Sequence, residues 1–358
     1  MSEPLRILWV ASKLEREWKG GVGRVIAGAL PALAARGHEV HLAGRAPEGE
    51  PAPLPGVTLH PWPARRSKLA QLPHLVALQR KLRAQVVHFH SALPHGALIV
   101  PFLWLRRALG RPLVVVSPHT GARAHYPKRL ARAALARADR VIAVSRWSAE
   151  RAVRAGAPRE RTLVVPNGSD LLAVPPRGKR APVVVALARL VASKGIDVLL
   201  EAFDAAAATR PEWRLRIAGE GREAEALRRR AAELASGARI ELCGQAAGAA
   251  KEALLAEAAI GVQPSREDNL PGALLELQAW GIPCIASRVG GIPEILGEGE
   301  AGFLVPPGDV PALARALGAL MEDPARRARL AEAGLRLAAD RTWPRIAERL
   351  EAAYGASS

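Results

Sequence analysis

The sequence contains few of the residues that cross-link a chain or stack on bases. Two cysteines, Cys243 and Cys284, occur among 358 residues, and each lies in an apolar run. This predicts buried free thiols rather than a disulfide or a metal site, and a reducing cytoplasm suits them. Only four Phe and two Tyr occur. Because single-stranded nucleic-acid binding combines cations with stacking aromatics, nucleic acid is not expected as a partner.

Long hydrophobic runs are also absent. The most apolar stretch, residues 98–105, is far shorter than the roughly 18 residues of a membrane span. The first residues lack a basic segment followed by an apolar run, so no signal peptide is expected. No Asp-x-Asp occurs and the histidines have no ligand spacing backed by Cys or clustered acids, so neither a metal nor a resident cofactor is predicted.

Acidic residues are scarce in the first half only. The net charge is +17, and residues 1–170 carry 27 Lys and Arg against 10 Asp and Glu. Residues 171–358 carry 24 of each. A polycationic first half predicts an anionic partner, such as nucleic acid, an anionic lipid surface or a charged acceptor. The alternative is an Arg-rich composition with solvated faces, which does not by itself explain the asymmetry.

Short β-rich runs alternate with helical patterns along the whole chain. This alternation predicts an α/β protein with two doubly wound, parallel-sheet, Rossmann-like domains facing across a cleft. The predicted boundaries are 1–170 for the first domain, 171–181 for a Pro- and Gly-containing linker and 182–340 for the second domain. Residues 341–358 contain a final helix, 344–354. Ligands of such sheets bind beyond the carboxyl ends of the strands.

The segment 264–276 is the most informative part of the chain. An apolar strand pattern precedes it, and a helical pattern follows from residue 273, with Pro271 placed in the first turn. The free N–H groups of a helix start form an anion site, and Asp268 and Glu276 flank it eight residues apart. Eight helical residues span roughly 12 Å, more than the about 5–9.5 Å between the carboxyls of glycoside hydrolases. The alternative is a helix cap at Asp268 or Asn269 with an ordinary surface Glu276.

Cations and glycines follow other predicted strands. Arg189 follows the strand that opens the second domain, and Lys194 precedes a helix, an arrangement that suits a diphosphate. Gly219 and Glu220 form another turn after a strand. In the first domain a glycine-rich segment with Gly21 and Arg24 precedes a helix predicted from residue 25. It lacks the third glycine and the acid of a dinucleotide site.

Together these motifs resemble the retaining, GT-B-fold glycosyltransferases of the large family 4 group. The resemblance covers nearly the whole chain and includes the acid-x7-acid segment, the "GRL-x-x-x-KG-x-D" segment and the "GEG" turn. It implies that Asp268 holds the donor sugar and that Glu276 holds the nucleotide ribose. It also implies that His119, after a strand of the first domain, lies near the donor, that no metal is required, and that the final helix crosses back onto the first domain. His88 and His90 are expected to be structural or acceptor-side.

One segment departs from the family pattern. The usual Gly-Phe-Gly after the first acid is replaced by Asn269-Leu270-Pro271, followed by Gly272. Pro271 has no backbone N–H to donate, so the contacts with the donor sugar must differ from those of the family. The identity of the sugar therefore cannot be inferred from the resemblance. The variant resembles bacterial surface-polysaccharide and lipopolysaccharide members.

The predicted function is therefore transfer of a sugar from a nucleotide-diphosphate sugar to a glycan or lipid-linked acceptor. Basic segments around residues 69–82 and 128–137 predict peripheral binding to the inner face of the plasma membrane. The alternative for residues 69–82 is a helix whose apolar stripe is buried in the domain core. A GT-B epimerase or phosphorylase is a second enzyme hypothesis. The non-enzymatic alternative is a basic protein that binds nucleic acid or anionic surfaces on a GT-B scaffold.

Overall fold

The computed structural model describes residues 3–18, 20–63, 71–90, 92–118, 129–170 and 180–355. Two compact units divide the chain. Unit 1 comprises Met1–Gly168 and Trp343–Ser358, and unit 2 comprises Ser169–Thr342. The helix that ends the chain therefore belongs to the first unit.

Unit 1 is built on a parallel sheet of seven strands in the order β3-β2-β1-β4-β5-β6-β7. The strands are β1 (Arg6–Lys13), β2 (Glu39–Arg45), β3 (Val57–Trp62), β4 (Val86–His90), β5 (Leu113–Ser117), β6 (Arg140–Ala143) and β7 (Thr162–Val164). Strand order reverses between β1 and β4, which pair directly. The sequence pattern missed β3, because it contains Pro61, a residue that sheets tolerate at an edge such as this one.

Among the described residues of unit 1, six stretches form α-helices. They are α1 (Gly20–Ala35), α2 (Leu72–Leu82), α3 (Ala92–Leu105), α4 (Arg129–Arg137), α5 (Arg146–Arg154) and α13 (Trp343–Tyr354). The helices α2, α3 and α4 pack on one core cluster, and α1 and α13 pack on another. Since both faces of the sheet are covered, its central strands β1, β4 and β5 are mostly buried.

Two glycines, Gly28 and Gly168, leave room for the Trp343 ring of helix α13 in unit 1. A Cβ on Gly28 would lie 2.0 Å from the Trp343 ring, and one on Gly168 would lie 2.5 Å from it. At the other end, the buried Tyr354 hydroxyl accepts a hydrogen bond from Trp9 Nε1 at 3.0 Å. Glu351, also buried, pairs with Arg36 and with His38 Nε2 at 2.7 Å. Polar and steric contacts thus fix both ends of the helix.

Unit 2 is a second doubly wound fold. Its parallel sheet of six strands has the order β10-β9-β8-β11-β12-β13, which reverses between β8 and β11. The strands are β8 (Ala181–Leu187), β9 (Arg214–Ala218), β10 (Ile240–Gly244), β11 (Ala258–Gln263), β12 (Cys284–Ser287) and β13 (Gly302–Val305). The helices are α6 (Ile196–Ala207), α7 (Ala224–Glu233), α8 (Gly248–Glu257), α9 (Gly272–Ala279), α10 (Ile292–Ile295), α11 (Val310–Glu322) and α12 (Pro324–Ala339).

The two doubly wound sheets confirm the predicted fold class, and the burial of Cys243 differs from the sequence expectation. Cys284 is buried but Cys243 is only half-buried, although both are free. The apolar stripe of α2 packs on the unit 1 core, as the alternative for residues 69–82 predicts, and Arg80 and Lys81 of this helix are exposed. No helix in the described ranges combines the length and apolarity needed to cross a bilayer.

Candidate active site

The loops after β8 and β11 form the candidate site, at the carboxyl ends of two paired strands where the sheet order reverses. Arg189 is exposed just beyond β8, and a 3₁₀ turn, Ala192–Lys194, leads to Gly195. Gly195 caps α6 with a φ of 65°, and a Cβ there would lie 2.1 Å from the Pro264 carbonyl oxygen. Only glycine therefore allows this close contact between the two loops.

Lys194 and Asp268 are brought together across these loops. The Lys194 ammonium forms an ion pair with Asp268 Oδ2, and both side chains are mostly buried, with 16% and 12% exposed. Ser265 Oγ donates a second hydrogen bond to the same oxygen at 3.2 Å. A cation proposed for phosphate thus touches the acid proposed for the sugar.

Arg266 fixes the position of this acidic loop. Its guanidinium binds both oxygens of Asp197 at 2.7 and 2.6 Å, and its backbone N–H donates to Ser193 O at 2.9 Å. Burial raises the pKa of Asp197, but the hydrogen bonds and charge of Arg266, with backbone N–H groups at the start of α6, outweigh it and lower the pKa overall. The motif acid Asp197 therefore acts on the site through Arg266.

Glycine turns after β9 and β12 close against the same loops. A Cβ on Gly219 would lie 1.7 Å from the Ala188 carbonyl oxygen. The next residue, Glu220, is exposed, and its carbonyl accepts from Leu190 N at 2.8 Å. After β12, a Cβ on Gly290 would lie 1.6 Å from the Asp268 carbonyl oxygen. Backbone contacts therefore hold four loops at one edge of the sheet.

Helix α9 carries the second acid. Pro271 is its N-cap, with ψ at 117°, so the prediction that this proline lies in the first turn is wrong. Because the N-cap position is Pro271, neither Asp268 nor Asn269 occupies it. Asn269 is half-buried and Leu270 is buried, while Gly272 opens the helix.

Glu276 faces a lysine that the sequence reasoning missed. Its Oε2 accepts from Lys251 Nζ on α8 at 2.9 Å, and the Glu276 side chain is 16% exposed. In the sequence, Lys251 lies in a helical pattern without a recognisable motif. Its pairing with Glu276 is therefore visible only in the structure, where the two side chains of α8 and α9 meet. Each candidate acid thus has its own lysine, which reduces the repulsion an anionic ligand would meet.

In unit 1, Gly21 and Arg24 lie in the first turns of α1, and both are exposed. The prediction that this helix starts at residue 25 is wrong, because α1 begins at Gly20. Gly23 permits the early start, since a Cβ there would lie 3.1 Å from the Trp18 backbone. His119 lies outside the described residues.

The two other histidines near a strand end are structural parts of a buried network. His88 Nδ1 lies 2.8 Å from the Tyr354 hydroxyl, and its Nε2 lies 2.8 Å from Ser117 Oγ. His90 stacks on Trp9 with ring centroids 3.8 Å apart. These contacts link α13 to the carboxyl ends of β4 and β5. Within the described ranges, no three His, Cys, Asp or Glu side chains cluster as metal ligands would.

Two family models match the chain. "Glycosyltransferase Family 4" matches residues 19–171, and "Glycosyl transferases group 1" matches residues 171–336. A GDP-mannose-dependent alpha-(1-6)-phosphatidylinositol monomannoside mannosyltransferase of Mycolicibacterium smegmatis is 32% identical over 279 residues, 72% of each chain. This chain belongs to the family 4 (group 1) glycosyltransferases. The putative colanic acid biosynthesis glycosyltransferase WcaL of Escherichia coli is 31% identical over 52% of this chain and 48% of its own.

Solved glycosyltransferase structures share the fold over the full length. Anabaena HepE in complex with UDP aligns with a TM-score of 0.79 at 19% identity, covering 99% of this chain and 100% of that one. The lipopolysaccharide outer core galactosyltransferase WaaB aligns with a TM-score of 0.78 at 17% identity and 98% coverage of both. The GT-B fold expected from the motifs is confirmed.

Proposed function

We propose that this glycosyltransferase is a retaining enzyme that uses a nucleotide-diphosphate sugar. The observation that carries the proposal is the Lys194–Asp268 pair, which joins the loops after β8 and β11 where the unit 2 strand order reverses. Arg189 lies in the first of these loops, and Glu276 lies on the helix that follows the second. Fixed cations beside a helix start stabilise a leaving diphosphate. The leaving phosphate then takes the proton from the acceptor hydroxyl.

The two acids have different roles in this proposal. Glu276, held by Lys251, binds the ribose hydroxyls, and Asp268, held by Lys194 and Ser265, orients the sugar. Because Lys194 contacts Asp268, it lies where sugar and diphosphate meet. For unit 1, His119, Gly21 and Arg24 are proposed as donor-binding residues, and the proposal includes no metal and no resident cofactor.

The test is a screen of nucleotide sugars for thermal stabilisation, followed by transfer with the donor that binds. A bound donor raises the melting temperature by mass action. The anomeric proton coupling of the fresh product, measured by NMR, reports the stereochemistry. Inverted product would contradict the retaining mechanism, and no stabilisation by any nucleotide sugar would contradict the donor class.

The proposed acceptor is a glycan or lipid-linked glycan of the cell surface. Support comes from the relatives named for a phosphatidylinositol monomannoside and for colanic acid. The positive charge of residues 1–170 suits an enzyme on the inner face of the membrane, where each nearby cation contributes on the order of 1 kcal/mol. Sedimentation with anionic but not neutral vesicles, reversed by salt, is expected. Equal recovery with both would contradict surface binding.

A further inference from the structure

A basic cavity lies in unit 1 at the edge of the sheet opposite the glycine-rich helix start. It measures about 700 Å³, and its wall includes Gln79, Arg80, Arg83, Gln85, Arg111 and Pro112. Gln85 immediately precedes β4 and Pro112 immediately precedes β5, so the cavity lies at the amino ends of these strands. Strand carboxyl ends, where doubly wound sheets bind their usual ligands, are at the other edge.

Charge in this cavity has one sign. Three arginines line it, Arg80, Arg83 and Arg111, and no carboxylate does. All three are exposed and have no ion pair with any described residue. The nearby acid, Asp139, is already held by Arg106 at 2.6 Å and by Val114 N at 2.9 Å. Three clustered guanidinium groups are the arrangement with which proteins bind phosphate.

Two of these arginines occupy unfavourable backbone positions. Three non-glycine residues in the described ranges have positive φ, and Arg83 (50°) and Arg111 (54°) are two of them. Left-handed backbone costs an ordinary residue roughly 1–2 kcal/mol, and it is found preferentially at functional sites. Glycine would avoid this cost at both positions, and no described residue forms an ion pair with either arginine.

The cavity wall is held in place by Gln79. Its Nε2 donates to Ala84 O at 2.9 Å and to Leu109 O at 3.3 Å, which joins the end of α2 to the turn after α3. Gln79 is 1% exposed, and its Oε1 accepts no hydrogen bond from a described residue. Gln79 thus positions the chain segment that carries Arg80 and Arg83 on the cavity wall.

We propose that this cavity binds the phosphate group of a phosphate ester. Such a group occurs in soluble phosphate esters and in phospholipid headgroups. An exposed tryptophan favours the lipid source. Trp104 is 77% exposed and lies four residues before Ala108 of the cavity wall. Indole rings of this kind insert at the membrane interface. The proposal does not depend on the donor chemistry assigned to unit 2.

The test compares glycerol phosphate with sodium chloride at equal ionic strength as stabilisers of the full chain. The wild type and Lys194→Ala, which alters only the unit 2 site, should gain the same rise in melting temperature. Arg80→Gln and Arg111→Gly should each weaken binding about tenfold, on the scale of one charge-assisted hydrogen bond. Arg154→Gln, which removes an exposed cation of α5 outside the cavity, should bind like the wild type.

Stability without ligand gives an independent readout. Arg111→Gly should melt at a higher temperature than the wild type while it binds more weakly, because it relieves the backbone cost. An arginine with a purely structural role would instead lower the melting temperature when removed. The proposal would be overturned if glycerol phosphate did not raise the melting temperature of the wild type. It would also be overturned if glycerol phosphate raised the melting temperatures of Arg80→Gln and Arg111→Gly as much as that of the wild type.

Vesicles distinguish the two sources of phosphate. If the ligand is a headgroup, flotation with phosphatidylglycerol vesicles should fall in Arg80→Gln and in Trp104→Ala, and glycerol phosphate should compete. Trp104→Ala should leave glycerol phosphate binding unchanged. If flotation is the same in all variants while glycerol phosphate binding depends on Arg80, the proposal stands with a soluble ester as the ligand.

Discussion

Substitution of Gly290 by alanine tests whether backbone packing positions the acidic loop. The new Cβ would lie 1.6 Å from the Asp268 carbonyl oxygen, whereas ordinary contacts begin near 3.4 Å. The loop must therefore move by well over 1 Å, and a displacement of about that size costs on the order of 10²-fold in rate. The left-handed φ of 56° adds roughly 1–2 kcal/mol of strain.

The matched control is Gly299→Ala in the same unit. Gly299 also has a positive φ, 114°, but a Cβ there would meet no atom within 4 Å. Both variants carry strain, so the difference in kcat/KM between them reports the displacement of Asp268. We expect transfer to fall about 10²-fold in Gly290→Ala and to stay near the wild-type rate in Gly299→Ala. Equal rates in the two variants, measured at matched folded fractions, would refute the reasoning.

Three further predictions concern the site and helix α13. Arg189→Ala and Lys194→Ala should each lower kcat/KM about 10²-fold. The melting temperature should change little in Arg189→Ala and fall in Lys194→Ala, which leaves the mostly buried Asp268 without its cation; near-normal transfer in both variants would contradict the proposed diphosphate site. Tyr354→Phe leaves Trp9 Nε1 without its buried acceptor, so denaturant titration should show a loss of about 1–3 kcal/mol, and no loss would contradict the network. Burial raises the pKa of Glu351, but Arg36 and His38 lower it overall. The contribution of Glu351 to folding stability is therefore complete above the unfolded pKa of about 4.3, and it is lost as the pH falls through the lower pKa of the folded state. Glu351→Gln should flatten the acid side of the stability profile, and an unchanged profile would contradict this.

The fold was predictable because strands buried on both faces appear as apolar runs between amphipathic helices. Strand β3 was not predictable, because Pro61 and several half-buried positions weaken its pattern of apolar residues. The start of α1 was also missed, because Gly20, Gly21 and Gly23 are poor helix formers. The contact with the Trp18 backbone accounts for Gly23 alone, since a Cβ on Gly20 or Gly21 would meet no atom within 4 Å.

Motif spacing identified the candidate site residues but not their partners. The Lys194–Asp268 pair joins residues 74 positions apart, and the Lys251–Glu276 pair joins residues on different helices. Periodicity reports which face of a helix is buried and carries no information about such pairs. The motif acid Asp197 was visible in the sequence, whereas its contact with Arg266 depends on the turn at Gly195.

The central claim is that unit 2 binds a nucleoside diphosphate through Glu276 and the sugar through Asp268. Calorimetry with the diphosphate of the donor that binds tests it most directly. Glu276→Ala should weaken this binding by about tenfold or more, on the scale of a lost charged hydrogen bond. Asp268→Ala should retain the binding while sugar transfer falls, and the exposed Glu332→Ala on α12 should change neither. Equal loss of diphosphate affinity in Glu276→Ala and Asp268→Ala, or none in either, would contradict the account.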